Sequence, residues 1–169
     1  MKYIDFDGVI LDTEDLLFYE WRKNPNRHNL SEGVKINYII NSDWRAIVNE
    51  APIINDSINI LKNMDPSKSA ILTKVHSMDN EGYEKIYYLR CKGVKQNIIL
   101  VPYMFRKCDI VNPIDNILID DCLKNLDEWL EMGGYPMLFD RKKDNMDSWG
   151  VYNKNNYQRV LRIDEKIKR

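Results

Sequence analysis

This sequence lacks paired cysteines, long apolar runs and a charge of one sign. Its three cysteines, Cys91, Cys108 and Cys122, are far apart and form no CxxC pair. That argues against a disulfide framework and for free thiols in a reducing cytoplasm. Cys122, beside two aspartates, reads as a small packed residue. No apolar run approaches the length of a membrane span. The net charge of −1 argues against broad electrostatic binding of nucleic acid. No internal repeat or low-complexity tract breaks the chain. The first residues enter an apolar strand at once, which leaves no room for a signal or transit segment and predicts a cytoplasmic protein. What is present is ordinary for one globular domain with a small insertion: 169 residues, 44% hydrophobic and 30% charged.

The first thirteen residues, MKYIDFDGVILDT, organise the rest. A short apolar run leads into Asp5, Phe6, Asp7 and Gly8. The strand is predicted to end at Asp5, and Gly8 lets the backbone turn sharply. Both acids then sit at the carboxyl end of a strand, where open α/β sheets place their sites. One carboxylate can attack phosphorus while the other handles a proton. Both need a cation nearby, because close carboxylates and a phosphate repel one another.

Downstream, strands are predicted near 3–5, 69–73, 97–101, 116–120 and 136–139, alternating with helices. The helices are read over 14–23, 44–49, 57–64, 79–93 and 123–132, with a short helix or loop at 107–111; residues 34–40 fit helix or strand equally. Alternation of this kind predicts an α/β fold: a three-layer, Rossmann-like parallel sheet with helices on both faces. Four strands end in a polar residue able to reach one site: Asp5, Thr73, Asp120 and Asp140. Asp120 and Asp121 follow the apolar run Ile117-Leu118-Ile119. Adjacent buried carboxylates are costly without a cation, and Mg²⁺ suits them as a hard, oxygen-seeking ion. The segment Phe105-Arg106-Lys107-Cys108-Asp109 offers two basic residues shortly before that pair, Lys107 and its rival Arg106.

The stretch Asp5-Phe6-Asp7-Gly8-Val9 through Asp12-Thr13 resembles motif I of the haloacid dehalogenase-like phosphohydrolases, DxDGVxxDT. Thr73, Lys107 and the Asp120-Asp121 pair fall in the order of that family's later motifs. The resemblance implies that Asp5 is the nucleophile of an aspartyl-phosphate and Asp7 the general acid and base. It implies that Thr73 hydrogen-bonds the phosphoryl group and Lys107 neutralises it. Mg²⁺ would be held by Asp5, the main-chain carbonyl of Asp7, and one of Asp120 and Asp121. It also implies a small helical cap inserted after the first strand, residues 14–52, on a core of 1–13 and 53–169. Cap aromatics Phe18 and Trp44, with Lys74, are candidate substrate contacts.

Two segments, Ile117-Leu118-Ile119-Asp120-Asp121 and Gly134 through Arg141, look like the LIDD and PILFDxP segments of the 5′(3′)-deoxyribonucleotidase branch. Thr13, Lys74 and Arg141-Lys142-Lys143 depart from it. The expected substrate is therefore a small phosphorylated molecule, a nucleoside monophosphate, with no membrane and no stable nucleic-acid partner. The alternatives are another phosphorylated metabolite, a nucleic-acid end, or a non-catalytic scaffold that binds a phospho-ligand.

Overall fold

A computed structural model describes residues 1–140 and 157–167. The stretch Arg141-Lys142-Lys143 lies outside them. The chain forms a six-stranded sheet in the order β3-β2-β1-β4-β5-β6, from β1 (Lys2–Ile4), β2 (Ser69–Val75), β3 (Asn97–Pro102), β4 (Ile117–Asp120), β5 (Tyr135–Phe139) and β6 (Gln158–Val160). Every pairing is parallel. The α/β expectation holds, and so do five of the strands. β6 is additional: its Gln-Arg-Val sequence reads as charged tail, and only Val160 is buried.

Neighbouring residues of each strand go to opposite faces. Ile71, Ile119 and Met137 join one buried cluster, while Leu72, Leu118 and Leu138 join the other. Strands buried on both faces read as continuous apolar runs, which is why they were legible.

The helices are α1 (Thr13–Leu17), α2 (Tyr19–Lys23), α3 (Glu32–Ile40), α4 (Trp44–Glu50), α5 (Ser57–Asn63), α6 (Tyr83–Cys91), α7 (Lys107–Ile110) and α8 (Leu123–Glu131). The ambiguous stretch 34–40 is helical. The helix expected over 14–23 is two short ones that break at Phe18, whose φ and ψ are −97° and 8°. The break lets the adjacent side chains Leu17 and Phe18 both turn inward. Asp43 caps α4, its carboxylate accepting from Ala46 N–H at 3.0 Å. The helix expected to begin at 79 is preceded by a π-helical turn, Met78–Gly82, in which Gly82 N–H reaches back to the Ser77 carbonyl at 2.9 Å.

Helices α1 to α4 fill the stretch expected as a cap. Leu17, Phe18, Ile39, Trp44, Ile47 and Val48 belong to the same buried cluster as Ile4 and Ile71. Among the described residues, no helix is long and apolar enough to cross a membrane.

Candidate active site

Register brings the acids together. Ile4 pairs with Ile71 on one side and Ile119 on the other, and Asp5 N–H donates to the Ile119 carbonyl at 2.9 Å. Asp5 and Asp120 therefore leave the sheet side by side. The chain order reverses between β1 and β4, the switch point at which open α/β sheets open a crevice.

After Asp5 the backbone folds into a tight turn, with Ile10 and Leu11 N–H groups both reaching the Phe6 carbonyl at 2.9 and 3.1 Å. Gly8 takes φ +72° there, and a Cβ on it would run into the Asp121 carboxylate. The turn points Asp7 back over the sheet. One Asp7 oxygen accepts from Thr13 Oγ1 at 2.6 Å, and the other from Lys85 Nζ at 2.5 Å. Thr73 Oγ1 lies 3.5 Å from the second oxygen. Thr73 is not at a strand end as expected; β2 continues to Val75.

Lys107 opens α7 and is 1% exposed. Its Nζ lies 2.7 Å from Asp5 Oδ1 and 2.7 Å from Asp120 Oδ2. Burial works against its charge, yet Asp120 and Asp5 together hold it above the usual ammonium range. Arg106, its rival, is exposed and pairs with Asp109. Asp120 is enclosed: Cys122 N–H donates to Oδ1 at 2.8 Å, and Asn125 Nδ2 to Oδ2 at 3.0 Å. Asp121 instead borders the cleft. Asp140, the fourth strand-end residue, pairs with Arg159 and does not line the cleft. Burial, with Asp120 and Asp121 adding to it, pushes the Cys122 thiol up to about 12, which suits a packed residue and not a nucleophile.

Asp5, Asp120 and Asp121 each offer a carboxylate oxygen within 4.8 Å of the others. Lys107 pairs with two of these carboxylates, Asp5 and Asp120, and an all-oxygen set of this kind suits a hard divalent cation. Burial pushes the Asp5 carboxyl up to about 7, opposed by Lys107 and reinforced by Asp120 and Asp7. A cation among these oxygens would relieve that penalty, so the donor set fits one.

The cleft over these groups has a volume of about 530 Å³, and Phe18, Trp44 and Lys74 all border it. Trp44 is only 2% exposed; its Nε1 donates to the Ile39 carbonyl at 2.9 Å, and Lys85 Nζ sits 4.9 Å from its ring. At the rim, His76 stacks on Tyr103 with ring centres 5.1 Å apart. This stack was not anticipated. Neither was Lys85, which is fully buried between Asp7 and Glu81. The only local signal was Glu81 and Lys85 four apart at a helix start.

No family model matches the chain, and neither does any curated protein. Solved structures do. A HAD hydrolase of family IA, variant 3, from Entamoeba histolytica HM-1:IMSS is similar with TM-score 0.57 at 14% identity, covering 85% of each chain. A dehalogenase matches with TM-score 0.56 at 13% identity, over 96% of this chain and 92% of its own. A HAD-superfamily hydrolase from Ehrlichia chaffeensis matches with TM-score 0.50 at 12% identity, over 82% and 86%. The chain has the fold of the HAD-superfamily hydrolases.

Proposed function

We propose that this protein is a Mg²⁺-dependent phosphomonoesterase acting on a nucleoside monophosphate. One observation carries the reading: Asp5 and Asp7 leave β1 in a single turn, and buried Lys107 bridges Asp5 to Asp120. Asp5 attacks phosphorus in line, and the bond to the leaving oxygen breaks as that oxygen takes a proton from Asp7. Water then attacks phosphorus and gives its proton to Asp7, and the bond to Asp5 breaks, which frees the carboxylate. The Thr73 hydroxyl orients the phosphoryl oxygens, and Lys107 offsets their charge. When bound by Asp5, the Asp7 carbonyl and Asp121, Mg²⁺ supplies further charge neutralisation. Asp121 is the direct carboxylate ligand of the acidic pair in this reading, because it borders the cleft, whereas Asp120 is enclosed by Lys107, Cys122 and Asn125.

Residues 14–52 act as the cap, with Phe18 and Lys74 facing substrate. A flat base on an aromatic wall gains on the order of 1–3 kcal/mol, which a sugar phosphate cannot. The test is a steady-state screen of nucleoside monophosphates against sugar phosphates and 3′-phosphorylated oligonucleotides. Mononucleotides should lead in kcat/KM by tenfold or more, and Asp5→Asn should leave below about one per cent of activity. Equal rates on all three would replace the nucleotidase reading with a general phosphatase. Turnover by Asp5→Asn at wild-type rates would remove covalent catalysis.

A further inference from the structure

Glu81 is buried, charged and outside the chemistry just described. It is 2% exposed and sits in the π-helical turn that precedes α6. Its Oε1 accepts from Lys85 Nζ at 2.7 Å. Its Oε2 accepts from His76 N–H at 2.7 Å and lies 3.3 Å from His76 Nδ1. Burial works against its ionised form, but Lys85 and His76 hold its carboxyl below the usual range. Taking a second carboxylate out of water beside one ammonium is expensive unless geometry is gained.

The geometry gained is that of Lys85. A lysine has a flexible four-carbon stem and three donors. Here the donors are fixed by Asp7 at 2.5 Å, Glu81 at 2.7 Å and the Lys74 carbonyl at 3.2 Å. Asp7 is in turn fixed at its other oxygen by Thr13. The neighbouring Asn80 fastens the same turn to the loop between α3 and α4, donating to the Ile40 and Ser42 carbonyls at 2.9 and 3.1 Å. Gly82 lies so close to β3 that a Cβ would come within 2.6 Å of Leu100 Cδ1. The turn is thus held on two sides, with Glu81 directed inward.

We propose that Glu81 is a positioning residue for proton transfer: it seats the Lys85 ammonium, and Lys85 sets the direction in which the Asp7 carboxyl meets the leaving oxygen. This rests on the phosphatase reading. In the first step the bond from Asp5 to phosphorus forms, the bond from phosphorus to the leaving oxygen breaks, and the Asp7 proton passes to that oxygen. An alkoxide needs that proton; a p-nitrophenolate does not.

The experiment compares kcat/KM of Glu81→Gln and wild type on an alkyl phosphate and on p-nitrophenyl phosphate, at saturating Mg²⁺. Positioning predicts a loss of about 10- to 100-fold on the alkyl ester and under about threefold on the nitrophenyl ester. Asp7→Asn should show the same asymmetry, larger. Equal losses on both esters, or none, would overturn the role of Glu81 while leaving the phosphatase reading intact. A wild-type protein that cleaves neither ester would instead remove that reading. Should Glu81→Gln fail to fold, Glu81→Asp keeps the charge, shortens the reach by one methylene and is read by the same asymmetry.

Discussion

At Gly8 two demands meet on one residue: a left-handed backbone and contact with the Asp121 carboxylate. A methyl group there costs roughly 1–2 kcal/mol in backbone strain alone, and it also displaces Asp121. Gly8→Ala should therefore lower Mg²⁺ affinity at least tenfold, beyond its effect on unfolding. Isothermal titration beside thermal melting separates the two losses, and unchanged affinity would mean that Asp121 does not hold the ion. Single residues were also where the sequence was most legible. Asp5, Asp7, Asp120 and Lys107 each sit in a local pattern, a strand end or a helix start, that marks them without knowledge of the fold. Glu81 and Lys85 carry only their four-residue spacing, which says nothing of Asp7, 78 residues from Lys85. Trp44 was read as a candidate substrate contact; it borders the cleft, and its ring also lies near Lys85, a pairing that periodicity cannot anticipate.

Helix α4 is anchored by Trp44, whose ring lies among core side chains and whose Nε1 satisfies the end of α3 at Ile39. Trp44→Ala should cost about 3–5 kcal/mol, the usual range for emptying a buried tryptophan site. Urea unfolding should report the loss as a lower midpoint with little change in slope. A loss under about 1 kcal/mol would show that α4 is not held through this ring. The elements themselves were mostly readable, since parallel strands announce themselves as apolar runs and Asp43 caps α4 as a helix start should. Three features were not. The break at Phe18 hides inside a helical pattern, the π-helical turn differs from an α-turn by one residue, and β6 is an edge strand with one buried side chain.

Across the whole molecule, the acidic cluster links stability to pH and to metal. Burial raises the folded-state Asp5 carboxyl to about 7, above its ordinary value of 3.8. A group raised in this way contributes stability that is complete below pH 3.8 and is lost as pH rises through 7. Metal-free protein should therefore lose stability from Asp5 across that window. Mg²⁺ should restore it, with a melting increment that grows from pH 5 to pH 7 as binding displaces protons. At about one hundred times Kd the ion adds about 2.7 kcal/mol, or roughly 5–10 °C for a domain of this size. A melting temperature indifferent to Mg²⁺ at pH 7 would show that the cluster holds no ion.

Strand β1 lies in the interior of the sheet, yet it precedes the other five strands in the chain and is only three residues long. On the ribosome it can pair with β2 early, but its other edge waits for β4. At about 5–20 residues per second that wait is roughly 6 to 23 seconds. During it, the turn bearing Asp5 and Asp7 has neither Lys107 nor the Asp120-Asp121 pair beside it. A nascent chain stalled before β4 presents an apolar strand edge of the kind that recruits chaperones. Asp5 therefore meets Lys107 and the Asp120-Asp121 pair only once β4 has been made.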